Sequence, residues 1–401
     1  MDGLSQTPAT HRAGNPWRSR FVLAIAVLAT LPSLCEGYAI LWGERQGFTG
    51  KALRDGLDFW AGGFLALHHL VATVFDPVAY RAFLAADFGT KLPTHMWSYP
   101  PNYLLFATAF DWLSPWHAIL AFDAVSLAFL IAVLRLARLP WLLVLAVATS
   151  PVALENLLEG QNAALITALL GGGLLLIERR PRLAGILIGL ATIKPQLGLV
   201  LPLHLWQRSR IGFVFALLAA IALAAASCAA FGTGAWVAFW HVTRPAMNNV
   251  LLTGQPPAFA GGLISVFAAC RGLGVHLALA LQATISVAAI LIAARSKNPV
   301  EVLILAALAS PYLHDYDLLG VTLAVALLVQ DRLLHGFAPG EPVLFCLAWA
   351  GPGAMPWLPQ IAHFTPLVLL LLLASAVRRD RVRPCDSRKA PLYSPASSAG
   401  P

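Results

Sequence analysis

Long apolar runs alternate with shorter polar segments along most of the chain, and this pattern predicts membrane-spanning helices. The runs are separated by segments that carry charge, proline or glycine. Roughly ten spans of about 20 residues each would fit in such a chain, which leaves little room for a soluble domain. We expect roughly ten to twelve membrane helices, several of them shorter than a full span. The sequence therefore predicts an all-α polytopic membrane protein. The apolar runs are 21–42, 139–153, 161–177, 211–230, 275–294, 299–311, 317–330, 342–355 and 361–377, with a further helical region across 101–138.

The polar segments divide the predicted fold into one membrane domain, two large outer loops and a tail. We expect a single integral domain over 1–377, with a first outer loop at 43–100 and a second at 231–262. The charged, proline- and serine-rich segment 378–401 is expected to be a disordered cytoplasmic tail. Within the first outer loop, amphipathic patterning predicts helices near 59–74 and 78–88 that lie along the membrane interface.

Basic residues indicate the orientation of these helices. Most of the 27 lysine and arginine residues fall in segments that the helix pattern places on one side, including 135–138, 178–182 and 207–210. Because basic residues of short loops stay on the cytoplasmic side, both termini are expected inside and the polar loops outside. The chain has 58% hydrophobic and only 11% charged residues, as is typical of a membrane protein. We therefore attribute its net charge of +8 to the orientation of the membrane helices rather than to nucleic-acid binding. The first apolar run lacks a small-residue cleavage site, so we expect a retained span.

The segment 182–210 breaks the alternation of crossing helices. It has basic residues at both ends, yet its apolar part is long enough for only about one crossing. We therefore predict two short helices that enter and return on the same side, meeting near Lys194-Pro195. Pro195 favours a break because it cannot donate a hydrogen bond to the preceding turn.

Several polar residues at the predicted outer ends of helices are candidates for function, and each also has a structural interpretation. Asp58 stands before the first predicted outer-loop helix, where it is either an N-cap or a functional carboxylate. Glu159, Gln161 and Asn162 form either a solvated turn or part of a substrate cavity. His314, with Asp315 beside it, is either a proton shuttle or a solvated loop residue.

Two cations and one tyrosine complete the set of candidates. Lys194 lies among apolar residues, so it either pairs with an anion or extends its side chain to the interface. Arg244 in the second outer loop is suited to contact a phosphate or a sugar. Tyr99 precedes Pro100-Pro101, which is expected to end the first outer loop and to form a cavity floor. The cysteines are scattered singly and His68-His69 point to different helix faces, so no metal site is predicted.

An ordered set of motifs resembles glycosyltransferase family 87. The motifs are Asp58-Phe59, "YPP" at 99–101, "GQN" at 160–162, "AGILIGLATIKPQ" at 184–196 and "SPYLHDYD" at 310–317. This family comprises polyprenol-phosphate-dependent membrane transferases of the GT-C class, including mycobacterial phosphatidylinositol-mannoside mannosyltransferases.

The resemblance implies an activity and a location. A sugar, with mannose as a candidate, would pass from a polyprenyl-phosphate donor to a hydroxyl of a lipid or glycan acceptor, with inversion. The site would face the extracytoplasmic side of the bacterial plasma (inner) membrane. The expected partners are membrane lipids, the donor and the acceptor, and no nucleic acid is expected to bind. The donor lipid is a substrate, and the scheme requires no cofactor and no metal.

The same resemblance implies roles for the candidate residues. Asp58 would be the catalytic base, and His314 would orient it or relay its proton. Lys194 would contact the phosphate, with Arg244 as a second contact. The remaining candidates for substrate binding are Gln161 and Asn162 on sugar hydroxyls, together with Tyr99, Glu159 and Asp315.

Two other classes of function remain open from the sequence. A lipid-linked-sugar flippase or transporter would use the same charges to bind cargo without chemistry. Against this class, the polar residues concentrate at one side, and the chain shows no pair of matching halves. A structural subunit of an envelope-glycan assembly complex is the third class, and it would tolerate Asp58→Asn and Lys194→Ala.

Overall fold

The computed structural model describes residues 54–89, 95–254, 263–355 and 358–382, together with parts of 30–38. Within these ranges the chain is almost entirely helical, and its only strand-like contact is an isolated bridge between Leu263 and His314. The all-α class is therefore confirmed. The predicted first span at 21–42 lies largely outside the described residues, and the predicted tail lies outside them from residue 383 onward.

The helices of the first outer loop differ in part from the prediction. The helix expected at 59–74 is two helices, α1 (Arg54–Leu67) and α2 (Val71–Val74), and His69 between them has a left-handed backbone with φ of 59°. Asp58 lies inside α1, so its interpretation as an N-cap is wrong. The helix expected at 78–88 is α3 (Pro77–Phe88), whose N-cap Asp76 accepts hydrogen bonds from the two amide groups that follow Pro77.

The region 101–138 consists of short helical turns followed by one long helix. Pro100 is extended, and Pro101 begins a 3-10 turn, because proline fixes φ and needs no amide partner in a first turn. A short helix α4 (Leu104–Ala107) follows, and the long helix α5 (Pro115–Leu136) begins after Ser114. The segment "DWLSPWH" at 111–117 thus contains the turn that separates the short helical turns from the long helix.

Five helices in the described part of the chain are long and apolar enough to cross a membrane. They are α5 and, in chain order after the shorter helices, α11 (Arg210–Phe231), α15 (Val275–Arg295), α17 (Leu319–His335, continuing the turn Tyr316–Leu318) and α19 (Ile361–Val382). A bent pair, α6 (Trp141–Ala148) and α7 (Pro151–Glu159), makes a sixth candidate with an angle of 47°. The expected ten to twelve membrane helices therefore include several that are shorter than a full span.

The shorter apolar helices pack inside the long ones. They are α8 (Ala163–Leu176), α9 (Pro181–Leu190), α16 (Pro299–Ala309) and α18 (Glu341–Ala350). The side chains of α8 and α16 are buried almost throughout, whereas α11 leaves Leu217, Leu218 and Ile221 more than half exposed. An apolar helix with an exposed apolar face is typical of contact with lipid.

The predicted re-entrant segment is confirmed in its geometry. Helix α9 rises from Pro181 and ends in a 3-10 turn at Ala191–Ile193, a second 3-10 turn follows at Pro195–Gly198, and α10 (Leu201–Arg208) returns. Lys194 lies at the break, with φ of −134° and ψ of 69°. The two ends of the segment meet, because Arg208 at the end of the return helix forms an ion pair with Glu178 before Pro181. Both ends therefore lie on the same side of the molecule, and Lys194 is at the tip.

Glycine allows the inner helices to approach closely. In "GGG", each glycine faces a different neighbour: Gly171 faces Leu323 of α17, Gly172 faces Val133 of α5, and Gly173 faces Ile188 of α9. Gly185 and Gly189 of α9 lie against backbone carbonyls of α11, where a Cβ would collide. Small residues four apart permit this kind of contact between membrane helices, so glycine determines where the re-entrant segment sits.

We expect Gly189→Leu to destabilise the protein by about 1–3 kcal/mol, because the new side chain meets the Ala216 carbonyl and cannot be accommodated without shifting a helix. Thermal unfolding of the purified protein in detergent measures the effect. Gly272→Leu is the matched control, since no atom lies within 4 Å of a Cβ at that position. Equal unfolding temperatures for the two variants would contradict the packing described here.

Candidate active site

A single cavity of about 580 Å³ brings together most of the candidates from the sequence. Its lining includes Asp58, Tyr99, Gln161, Lys194, Arg244 and His314. Four further residues that the sequence did not single out for a role also line it: Asp55, His95, Tyr312 and Tyr316. Asn162, Glu159 and Asp315 are not among the residues that line it. The proposed catalytic and binding residues thus converge on one space, although their roles stay predictions.

The N-terminal part of α1 forms the acidic wall of the cavity. Asp55 and Asp58 are three residues apart on a helix, so both project from the same face. Gly160, in a left-handed conformation with φ of 68°, packs against Gly56 of α1, where a Cβ on Gly160 would lie 2.9 Å from the Gly56 Cα. This close contact lets Gln161 Nε2 donate to Asp55 Oδ2 at 2.7 Å.

Asp58 is a buried carboxylate with an oxygen atom that makes no hydrogen bond among the described residues. Its side chain is 6% exposed, and its Oδ1 accepts no hydrogen bond from any described residue. Tyr80 of α3 donates to the Asp58 backbone carbonyl at 2.5 Å, which fixes the position of α1 at this residue. Burial raises the pKa of Asp58 to about 7, with the His95 charge opposing the rise and the Asp55 charge adding to it. A carboxylate with this pKa is suited to accept a proton near neutral pH.

Asp55 and His95 form an ion pair beside Asp58. His95 Nε2 lies 3.4 Å from Asp55 Oδ1. Burial alone would raise the pKa of Asp55, but the hydrogen bond and charge of His95, with Gln161 and Arg54, lower it to about 2. Burial alone would lower the pKa of His95, but Asp55 and Asp58 raise it above its usual value.

Lys194 forms a buried ion pair with Asp317 at the cavity floor. Its Nζ donates to Asp317 Oδ1 at 2.5 Å and to Asn162 Oδ1 at 3.3 Å, and both charged side chains are almost completely buried. The amino group also lies over the rings of Tyr316 and Tyr99, at 4.9 and 5.8 Å from their centroids. The alternative that Lys194 extends its side chain to the interface is therefore wrong.

Gln161 connects the acidic wall to the floor. Besides its bond to Asp55, its Nε2 donates to the Tyr316 hydroxyl at 3.2 Å, and its Oε1 accepts from the Tyr99 hydroxyl at 3.2 Å. The Tyr99 ring packs edge-on against Phe59 of α1, with ring centroids 5.2 Å apart. The polar groups of Gln161 are thus used within the protein, so this amide orients its neighbours.

The other carboxylates predicted for binding have partners of their own. Arg54 holds Glu159 through two hydrogen bonds, at 2.6 and 3.1 Å, which join α1 to the end of α7. The Asp315 carboxylate accepts from the Tyr316 backbone amide at 2.9 Å, and burial raises the pKa of Asp315 to about 6. In the same segment it is Asp317, not Asp315, that contacts Lys194.

His314 and Arg244 lie on other walls of the cavity. The His314 ring is stacked on Tyr316, with centroids 5.3 Å apart, and burial lowers the pKa of His314, so the ring is neutral near pH 7. Arg244 is exposed to the cavity, and its guanidinium lies 4.6 Å from the Trp240 ring centroid. In the part of the chain that the structure describes, no carboxylate forms an ion pair with Arg244.

Sequence reasoning missed two charged residues of this site, Asp55 and His95, and only Asp55 left a signal in the sequence. The spacing of Asp55 and Asp58 in "RDGLD" would place both on one helix face, had the helix start been assigned correctly. His95 precedes "YPP" in a segment without periodic pattern, so only the fold reveals its partner. Among the described residues, no group of three or more His, Cys, Asp or Glu side chains is arranged to hold a metal ion.

These features define a polytopic helical membrane protein with a recessed cavity, whose lining includes the buried carboxylate of Asp58 and the cations Lys194 and Arg244. The sequence model of glycosyltransferase family 87 matches residues 97–313, and the chain belongs to this family. The protein is thus a membrane glycosyltransferase, and the resemblance seen in the motifs is confirmed. No curated protein and no solved structure matches the chain. The matched region includes Lys194 and Arg244, whereas Asp58, His95 and His314 lie outside it.

Removing one partner of the Lys194–Asp317 pair is expected to destabilise the protein by about 3–5 kcal/mol, because the other charge stays buried without compensation. Lys194→Met and Asp317→Leu should each lower the unfolding temperature strongly, whereas the double variant should recover most of the loss. Lys297→Met, at an exposed lysine, is the control. Additive losses in the double variant would show that the two side chains are not coupled.

Proposed function

We propose that this protein transfers a sugar from a polyprenyl-phosphate donor to a hydroxyl group of a lipid or glycan acceptor on the extracytoplasmic face, with inversion. The observation that carries the proposal is the cavity itself, which places the buried Asp58 carboxylate in the same space as Lys194 and Arg244. A base for the acceptor and cations for a departing phosphate are what such a reaction needs.

In the proposed reaction, the acceptor hydroxyl attacks the anomeric carbon of the donor sugar. The acceptor proton moves to Asp58 as the new carbon–oxygen bond forms, and the bond between the anomeric carbon and the phosphate oxygen breaks. The lipid phosphate leaves with the electron pair of that bond. A single displacement of this kind inverts the configuration at the anomeric carbon.

The leaving phosphate is assigned to the basic side of the cavity. Arg244 is exposed there without a carboxylate partner in the described structure, so its charge is available to an anion. Lys194 lines the same space, but Asp317 already offsets its charge. We therefore assign the first electrostatic contact with the phosphate to Arg244, with Lys194 as a hydrogen-bond donor from the floor.

Of the amide and histidine side chains at the site, some hold other protein side chains in place and one is available to the substrates. Asn162 holds Lys194 by its side-chain oxygen, and Gln161 holds Asp55 and Tyr99. His314, neutral and part of the lining, is a candidate hydrogen-bond partner for the substrates. His95 is the histidine whose charge acts on Asp58.

The distribution of basic residues supports an extracytoplasmic site. Arg135 near the end of α5, Arg295 at the end of α15 and Arg332 near the end of α17 lie at the helix ends remote from the cavity. The cavity is bounded by the opposite ends, including the start of α8 and the turn before α17. Since basic residues favour the cytoplasmic side, the cavity is assigned to the other face.

The direct test is sugar transfer by the purified protein in lipid, with a panel of polyprenyl-phosphate hexoses that includes mannose and with envelope lipids and glycans as acceptors. We expect Asp58→Asn to reduce transfer at least about a hundredfold, because it keeps the shape of the side chain and removes the base. Asp87→Asn, at an exposed aspartate of α3, should leave transfer unchanged.

Two outcomes of this assay count against the proposal. Equal transfer by the wild type and Asp58→Asn would show that Asp58 is not the base. Movement of the labelled donor across the bilayer without transfer, to the same extent in both proteins, would favour the flippase alternative.

The pH dependence provides an independent prediction. Because the carboxylate form of Asp58 accepts the proton and its pKa is about 7, the transfer rate should be half-maximal near that pH and should level off about one pH unit higher. At pH 6 about a tenth of the carboxyl group is ionised, so the rate should fall about tenfold from its plateau. An acid limb centred near pH 4, the range of an ordinary aspartate, would contradict this assignment.

A further inference from the structure

The environment of Asp58 raises a question that burial alone does not answer. A base that takes part in proton transfer has to reach its ionised form, yet removing a carboxylate from water opposes ionisation. The Asp58 Oδ1 has no hydrogen-bond donor among the described residues, so no hydrogen bond to that atom stabilises the anion. The hydroxyl of Tyr80 favours the ionised form of Asp58, and a nearby positive charge adds to that effect through space.

His95 supplies such a charge, and its geometry is defined by one partner. Its Nε2 lies 3.4 Å from Asp55 Oδ1, while its buried Nδ1 makes no hydrogen bond within the described residues. Asp55 is fixed in turn by Gln161 at 2.7 Å. The imidazole is therefore held from one side, with Asp58 on the same face of α1 as Asp55.

Several ionisable groups surround this pair. Asp58 interacts with groups on its own helix, on the segment before Tyr99, on α3 and on the first 3-10 turn: Asp55, His95, Tyr80 and Tyr103. His95 interacts with Asp55 and Asp58, which favour its cation, and with Arg54, which opposes it. His95 is thus the one cation among these groups that acts directly on Asp58.

We infer that His95, anchored by Asp55, is a positioning residue that keeps a positive charge beside Asp58 and so keeps the proposed base ionised at neutral pH. This inference rests on the proposed function for its catalytic meaning. Its physical content, the coupling between two side chains, does not depend on the activity. Asp55 serves as the anchor of the histidine, and Asp58 alone exchanges a proton with substrate.

The test uses the full-length protein in lipid and measures the protonation of Asp58 directly. Dicyclohexylcarbodiimide, an apolar reagent, modifies protonated carboxyl groups, and mass spectrometry quantifies the modified Asp58 peptide across a pH series. In His95→Gln the midpoint for Asp58 should move to higher pH by about one unit, because an opposite charge close to a carboxylate has an effect of this size. His95→Lys, which restores a cation, should return the midpoint toward the wild-type value.

Two controls separate a change of charge from a change of structure. His68→Gln removes an exposed outer-loop histidine and should leave the Asp58 midpoint unchanged. Asp111 is an internal reference, since burial alone raises its pKa to about 8 and its midpoint should be the same in every variant. A shift of both Asp58 and Asp111 in His95→Gln would indicate structural disturbance and would overturn the inference.

Transfer assays distinguish this inference from the proposed function. If the acid limb of the rate profile moves with the labelling midpoint in His95→Gln and returns in His95→Lys, the role of His95 and the proposed function are both supported. An unchanged midpoint and acid limb in His95→Gln, with Asp58→Asn inactive, would overturn the role of His95 and leave the proposed function intact. If no donor supports transfer by the wild type, the proposed function fails, while the labelling result still decides whether His95 controls Asp58.

Discussion

The buried ion pair between Lys194 and Asp317 is the interaction on which the arrangement of the site depends. Each charge would be very costly alone in an apolar environment, so the lysine at the re-entrant tip and the carboxylate before α17 have to meet. Asn162 at the start of α8 accepts a hydrogen bond from the same amino group. One cation thus joins three separate helical segments at the cavity floor, and the rings of Tyr99 and Tyr316 pack around it.

Buried charges are compensated to different degrees at the floor of the cavity and on the wall formed by α1. At the floor, lysine and aspartate neutralise each other, and hydrogen bonds fix both partners. On the wall formed by α1, Asp55 is compensated by His95 and Gln161, whereas Asp58 is buried with one oxygen unsatisfied. Unsatisfied buried polar groups are uncommon and often mark sites of function. Of these two carboxylates on one helix face, Asp55 is held by partners, and Asp58 is the one to which we assign the proton transfer.

The sequence predicted those parts of the structure that depend on local pattern and on the cost of buried charge. Apolar runs and basic flanks gave the helical class and the re-entrant segment, because Lys194-Pro195 violates the pattern of a simple span. Asp58, Lys194 and His314 were assigned to one cavity, and the structure brings them together. The helix boundary before Asp58 was placed too late, because "RDGLDFWAGG" has no distinct N-cap and two consecutive glycines.

Other elements of the site depend on contacts between distant segments, which a single sequence does not record. The choice of Asp317 over Asp315 as the partner of Lys194 depends on the 3-10 turn before α17, and the pairing of Asp55 with His95 depends on how two parts of the outer loop pack. Hydropathy marks a buried short helix and a crossing helix in the same way, so the sequence alone does not say which of the short apolar runs cross the membrane.

The short inner helices have a consequence for the proposed lipid-linked donor. Helix α8, with 14 residues, and α16, with 11, are about 21 and 16 Å long, whereas the hydrocarbon core of a bilayer is about 30 Å thick. A helix of this length that starts at one face of the core ends about 10 Å or more short of the other face. For a donor of the kind proposed above, such short helices would let the headgroup enter from the side while its chain stays in lipid. The phosphate would then exchange water for protein contacts without extraction of the lipid from the membrane.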